Sequence, residues 1–175
     1  MTKSLPTAFT HCPACGTLRS DAGQNPLRCA ACGFVFHFGP ITAVAAIVKD
    51  AEGRVLFLRR AKDPGKGKLG IPGGFVDVGE SLEAALVREV LEETNLTAIE
   101  WQYLVSFPNE YHYRGTVIPV TDMFFTCRVE SFDNMKPQDG EVTSFEFEKL
   151  TPDVLEEIAF VSNRQALEYY LNQHG

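Results

Sequence analysis

An α+β domain whose helices cover a mixed sheet, preceded by a small cysteine module, is the fold that this 175-residue sequence predicts. Three observations point to it. The order of elements is strands, one helix, further strands and terminal helices, with no repeat or low-complexity tract. Four of the five cysteines fall within residues 1–38. The charge also divides there: residues 1–38 carry +2, whereas residues 39–175 carry −9. A boundary near Gly39-Pro40 follows, giving a module at 1–38 and a larger domain at 39–175.

The module reads Cys12-Pro-Ala-Cys15-Gly and Cys29-Ala-Ala-Cys32-Gly. Paired C-x2-C motifs at this spacing suit tetrahedral zinc held by Cys12, Cys15, Cys29 and Cys32; four thiolates leave no open position, so such a zinc is structural. Gly16 and Gly33 supply the positive φ that the turn after each second cysteine needs. About 38 residues cannot bury enough surface to fold without a metal, disulfides or a partner. Two disulfides or a redox C-x-x-C are the competing readings, and the lack of an apolar signal-like stretch in residues 1–11 favours zinc.

In the larger domain, Ile41 to Val48 is continuously apolar and reads as a strand buried on both faces. Asp50-Ala-Glu-Gly53 is a turn, and Arg54 to Arg59 the returning strand. Residues 61–74 are a loop rich in Gly, Pro and Lys. Ser81 caps a helix running to about Thr94, with Asn95 at its C-terminal end. Strands follow near 98–106, 117–129 and 142–148, with Cys127 a small buried hydrophobe. Thr151-Pro152-Asp153 starts a short helix. A second begins after Ser162 with Leu167, Tyr170 and Leu171 as its apolar face.

Composition excludes several classes. Apolar residues make up 45% and charged residues 22%, so disorder is excluded. The longest apolar run, Ile41 to Val48, is far short of the ~20 residues a membrane span needs. A net charge of −7 makes the chain a poor general nucleic-acid binder. A cytoplasmic protein without membrane contact is the expectation.

The helix at 81–94 carries the chemistry. At about 100° per residue, Glu89, Glu92 and Glu93 share a wedge roughly 100° wide, while Ala84, Val87, Val90 and Leu91 point largely the other way and can pack on the sheet. Like charges at i, i+3 and i+4 repel, and the helix dipole disfavours them further near its C-terminus. A divalent cation such as Mg²⁺ or Mn²⁺ explains the arrangement; a solvated acidic face is the bland alternative. Just upstream, Gly73 and Gly74 let backbone approach a ligand closely, and Arg59, Arg60, Lys62, Lys66 and Lys68 form a cationic cluster suited to a polyphosphate. Of these, Arg59 and Arg60 are the candidate phosphate ligands, because a strand end holds them firmly.

These residues resemble the Nudix hydrolase box, G-x5-E-x7-R-E-U-x-E-E-x-G-U. Gly74, Glu80, Arg88, Glu89, Val90, Glu92, Glu93 and Leu96 match, and Asn95 replaces the last glycine. The resemblance covers about residues 40–150. It implies the Nudix α/β/α sandwich and Mg²⁺- or Mn²⁺-dependent cleavage of a nucleoside diphosphate linked to another group. It implies metal or base roles for Glu89, Glu92 and Glu93, an orienting role for Arg88 and a structural role for Glu80. Glu141, before a late strand, sits where many relatives supply a further metal ligand or base. A homodimer is a further expectation by analogy.

A zinc ribbon before such a domain also resembles the NADH pyrophosphatases. Their S-Q-P-W-P-F-P-x-S motif is represented here only by Ser106-Phe-Pro, and the chain begins almost at the ribbon, so an ADP-ribose-like substrate is expected before NADH. Phe107, Tyr111, His112 and Tyr113 could form a wall that stacks on a base, with Tyr111 and Tyr113 the candidate ligands; core or dimer packing is the other use of such aromatics. A capped-RNA hydrolase and a non-catalytic nucleotide sensor complete the alternatives. Retention of every box glutamate argues against the sensor.

Overall fold

Two short elements open the computed structural model, which describes residues 2–174: β1 (Lys3–Ser4) and α1 (Leu5–Ala8). They belong to the first of two units, formed by residues up to Ile41 together with Glu110–Val120. Here β2 (Leu27–Arg28) and β3 (Val35–Phe36) pair antiparallel, Leu27 opposite Phe36. Cys12, Leu27, Cys29 and Phe38 form a small core, with Leu5 and Phe34 packed against it. Arg19 is buried there but satisfied: its guanidinium donates to Asp21 Oδ1 at 2.9 Å and to the Phe9 carbonyl at 2.7 Å.

The second unit holds Thr42–Asn109 and the chain from Thr121 onward. Along the chain the next strands are β4 (Ile41–Val48), β5 (Val55–Arg60), β6 (Leu69–Gly70) and β7 (Gly73–Phe75). After α2 (Leu82–Thr94) come β8 (Ala98–Tyr113), β9 (Thr116–Val129) and β10 (Val142–Glu148), then α3 (Pro152–Glu156) and α4 (Val161–His174). One sheet runs β1-β9-β4-β7 with β8 beside β9, the other β10-β5-β6. Parallel and antiparallel pairs both occur, so the sheet is mixed.

The period of two along each strand decides the layers. Val44, Ala46 and Val48 of β4, Leu56 of β5 and Phe125 of β9 join Ala85, Leu86 and Val90 of α2 in one core. Ala45, Ile47, Val55, Phe57 and Phe124 point the other way and join Leu155, Ala166, Leu167 and Tyr170 beneath α3 and α4. Both faces of β4 are therefore covered, which is why its sequence is continuously apolar. The result is an α/β/α sandwich.

Local signals place most element ends. The Asp50–Gly53 turn closes with Gly53 N–H on the Asp50 carbonyl. Ser81 Oγ accepts from Ala84 N–H, and Thr151 Oγ1 accepts from Val154 N–H. Asn95 adopts the left-handed conformation (φ 59°) and its N–H reaches the Leu91 carbonyl, so it ends α2 as glycine would.

Four expectations need correction. The stretch 61–74 is not loop throughout, because Leu69–Gly70 pairs with β5 and Gly73–Phe75 with β4. Strand β8 extends seven residues past 106, because pairing with β9 carries it to a hairpin turn at Arg114-Gly115, both at positive φ. On α4, Ala166 joins Leu167 and Tyr170 in the core while Leu171 faces outward. On α2, Ala84 and Leu91 are exposed, Leu91 at 49%, and the buried positions are Ala85, Leu86, Val90, Glu93 and Thr94. A helical wheel gives relative angles only. Here the helix docks with part of its carboxylate wedge turned inward. Among the described residues, no helix is long and apolar enough to cross a membrane.

Candidate active site

The inward turn of α2 is made possible by two glycines. Strand β7 pairs antiparallel with β4, Gly73 opposite Ala45 and Gly74 opposite Val44. A Cβ on Gly73 would lie 2.1 Å from the Val44 carbonyl oxygen, and one on Gly74 would lie 2.5 Å from Glu89 Oε1. The glycines thus serve a close approach within the protein: Gly73 to β4, Gly74 to the Glu89 carboxylate. Gly73 N–H donates to Glu93 Oε2 at 2.9 Å.

Glu93 is only 9% exposed. Burial pushes its carboxyl up to about 8; the Glu89 and Glu141 charges add to the rise, while the Gly73 N–H and the Arg60 charge oppose it. Glu89 is raised too, first by burial and then by Glu92 and Glu141, against the pull of Arg88. These influences place Glu89, Glu93 and Glu141 within electrostatic reach of one another and Arg60 within reach of Glu93, although they come from α2, the turn before β10 and the end of β5. Glu92 is the outermost, half-exposed glutamate of the wedge.

Arg88 organises the wedge. Its guanidinium grips Glu80 through two 2.9 Å bonds and donates to Glu89 Oε1 at 2.7 Å, Glu92 Oε2 at 3.2 Å and the Phe75 carbonyl at 3.0 Å. Glu80 also accepts from Asp77 N–H at 3.1 Å, and Arg88 holds its carboxyl below the usual range. Glu80 therefore ties the loop before α2 to Arg88. Among the described residues, no three of these carboxylates bring oxygens within 4.8 Å of one another. Arg88 bridges Glu89 and Glu92 instead.

The two arginines at the end of β5 differ. Arg59 is engaged by Glu146 at 2.7 and 2.8 Å, by Glu157 at 2.9 Å and by the Gly67 carbonyl at 2.9 Å. Sequence reading missed Glu146 and Glu157 as its partners; they lie 87 and 98 residues away and carry no local signal. Arg60 donates to the Pro64 carbonyl at 2.9 Å, and its guanidinium lies 4.8 Å from the centre of the Phe160 ring. Lys66 and Lys68 are exposed on the same loop. Phe107 packs on the core against Phe124 rather than forming part of a wall. Tyr111 and Tyr113 lie in the first unit, their rings stacked at 6.2 Å with Arg114 over Tyr113.

In that first unit the four cysteine sulfurs all lie within 4.8 Å of one another. Cys12 and Cys32 are 3.8 Å apart and Cys15 and Cys29 3.7 Å, and none is disulfide-bonded. Four sulfurs ~2.3 Å from one zinc would be ~3.8 Å apart, so the cluster is consistent with a zinc ribbon. The two knuckles are equivalent: Gly16 N–H bonds the Cys12 carbonyl and Gly33 N–H the Cys29 carbonyl, both glycines at φ 74°.

Comparison with known proteins agrees with this architecture. The NUDIX domain model matches residues 39–169. An ADP-ribose pyrophosphatase of Methanocaldococcus jannaschii is 44% identical over 60 residues, covering 34% of this chain and 35% of that protein. The NAD-capped RNA hydrolase NudC of Stutzerimonas stutzeri is 30% identical over 136 residues, covering 71% and 49%. This chain thus spans about a third to a half of the curated relatives' length. Among solved structures, a NUDIX hydrolase from Nitrosomonas europaea superposes with a TM-score of 0.67 at 26% identity, covering 94% of this chain and 92% of that one. The NUDIX domain of Shewanella oneidensis NrtR shares the fold, with a TM-score of 0.63 at 24% identity over 78% of this chain and 90% of that one.

Proposed function

The chain belongs to the NUDIX domain family, and from that premise we propose that it is a Mg²⁺- or Mn²⁺-dependent pyrophosphohydrolase acting on a nucleoside diphosphate linked to another moiety. The observation that carries this reading is the half-buried Glu89 and buried Glu93 against Gly73-Gly74, with Glu141 and Arg60 converging from other elements. Ordinary helices do not turn two glutamates inward. A set of hard carboxylate oxygens, two of them withdrawn from water, suits a small dication.

Glu89, Glu92, Glu93 and Glu141 would hold the metal. When bound, Mg²⁺ or Mn²⁺ neutralises phosphate oxygens and makes a water more acidic. Arg88 bridges Glu89 and Glu92 and orients them. Glu93, buried against the Gly73 N–H and with its proton affinity raised by burial, would take the proton from the attacking water. Arg60 and the exposed loop lysines attract the substrate phosphates, while Arg59, already held by two carboxylates, fixes the loop. The cysteine cluster holds a structural zinc.

ADP-ribose is the leading substrate, supported by the Methanocaldococcus relative and by the incomplete match to the NADH pyrophosphatase motif. NAD-capped RNA is the second reading, favoured by the Stutzerimonas relative, whose match covers more of this chain. Product analysis after incubation with ADP-ribose, NADH and NAD-capped RNA, with and without Mg²⁺, tests both. We expect metal-dependent release of AMP from ADP-ribose. Release from capped RNA alone would select the second reading, and no metal-dependent cleavage of any of the three would sink the proposal.

A further inference from the structure

Glu141 is the one carboxylate of the proposed metal set that does not come from α2, and its position is set by a non-local lock. The β10–β5 register shifts between Val142 and Ser144, and Ala61 N–H donates to the Glu141 carbonyl at 2.8 Å. The turn before β10 is thereby tied to the loop that follows β5. The next residue of that loop, Lys62, places its ammonium on Glu141 Oε1.

The cations around the carboxylates differ in how firmly they are held. Arg88 is fixed by Glu80, Glu89, Glu92 and a carbonyl, and Arg60 by the Pro64 carbonyl and the Phe160 ring. Lys62 is a point charge on a flexible stem, with its side chain 55% exposed. It can leave Glu141 without unpacking anything.

Resting on the metal-dependent reading above, we infer that Lys62 is a positioning residue that competes with the divalent cation for Glu141, so that metal and polyphosphate bind cooperatively. A cation that engages Glu141 releases the Lys62 ammonium to an anionic ligand at the cationic loop. A polyphosphate that draws Lys62 away leaves Glu141 uncompensated near Glu89 and Glu93, which strengthens the site's attraction for a cation. By linkage, the two effects are equal in free energy.

The test is Mn²⁺ binding to the full zinc-loaded chain without substrate, followed by electron paramagnetic resonance. The proteins compared are the parent, Lys62→Met, Glu141→Gln and the double variant. Exposed ion pairs are weak, so Lys62→Met is expected to tighten Mn²⁺ binding by about two- to fivefold. Glu141→Gln is expected to weaken it, and adding Lys62→Met to Glu141→Gln should change nothing more. At saturating Mg²⁺, Lys62→Met should raise KM for ADP-ribose more than it lowers kcat. Unchanged or weaker Mn²⁺ binding in Lys62→Met, or an equal gain in the Glu141→Gln background, overturns the inference and leaves the metal reading intact. A parent chain that binds no Mn²⁺ at the carboxylates removes both.

Discussion

The cysteine knuckles and the carboxylate wedge each gather side chains that repel when ionised, and they do so in opposite ways. Around the cysteines the sulfurs have already converged within 4.8 Å, in a unit whose apolar core, among the described residues, is four residues with two more packed on it. Around α2 the carboxylates are paired with cations, Glu89 and Glu92 bridged by Arg88 and Glu141 held by Lys62, in a unit with two large cores. On the proposed reading, the first arrangement would hold a structural ion and the second a working one.

Metal removal should expose that contrast most strongly. On the zinc-ribbon reading, stripping zinc from the full chain should forfeit about 10–16 kcal/mol of binding free energy. Amide exchange at Cys12, Gly16, Cys29 and Gly33 should then lose protection while β4 and α2 keep theirs. Withdrawing Mg²⁺ should abolish turnover and leave exchange unchanged throughout. Knuckles that stay protected without zinc would erase the distinction.

Next in size is the chemistry. Glu93→Gln and Glu92→Gln should each lower kcat by about 10²- to 10⁴-fold with far-UV circular dichroism unaltered. Normal turnover of the true substrate by both variants would contradict the assignment.

The burial of Glu93 also has a sign that can be checked on the metal-free chain. Its carboxyl titrates near 8 when folded, against 4.5 for an unperturbed glutamate. Between those values the folded chain keeps a proton that the unfolded chain has released, so this group's contribution to stability falls as pH rises. Glu93→Gln should match the parent below about pH 4 and become more stable above it, by on the order of a few kcal/mol by pH 8. Saturating Mg²⁺ should reverse the order. Denaturant melts across pH provide the measurement; an apo variant less stable than the parent at pH 8 would be the wrong sign.

The smallest effects distinguish the adjacent glycines. Gly73→Ala drives a Cβ into the Val44 backbone and should cost about 3 kcal/mol of stability. Gly74→Ala meets only the movable end of Glu89, so it should cost about 1 kcal/mol or less while turnover falls at least about tenfold through misplacement of that carboxylate. Melting and kinetics of the pair would show whether stability and activity separate as expected.

How much of this was legible in the sequence depends on distance along the chain. The cysteine pairs, the Ser81 and Asn95 ends of α2, the capped start of α3 and the two-sided burial of β4 all follow from contacts or periodicities spanning a few residues. For the same reason the box residues could be named in advance as candidates, whereas Glu141 is named only through the family resemblance. Three things could not be read. Spacing along α2 located a carboxylate wedge but not its rotation, which is decided by the closeness of β7 to β4. Arg59 and Arg60 look alike at a strand end, yet Glu146 and Glu157 hold only Arg59, and that choice depends on β10 register and α3 placement. The raised proton affinity of Glu93 depends on burial, which is a property of packed neighbours. Local geometry is written in local sequence, but desolvation and charge pairing between distant elements arise only when the chain has closed on itself.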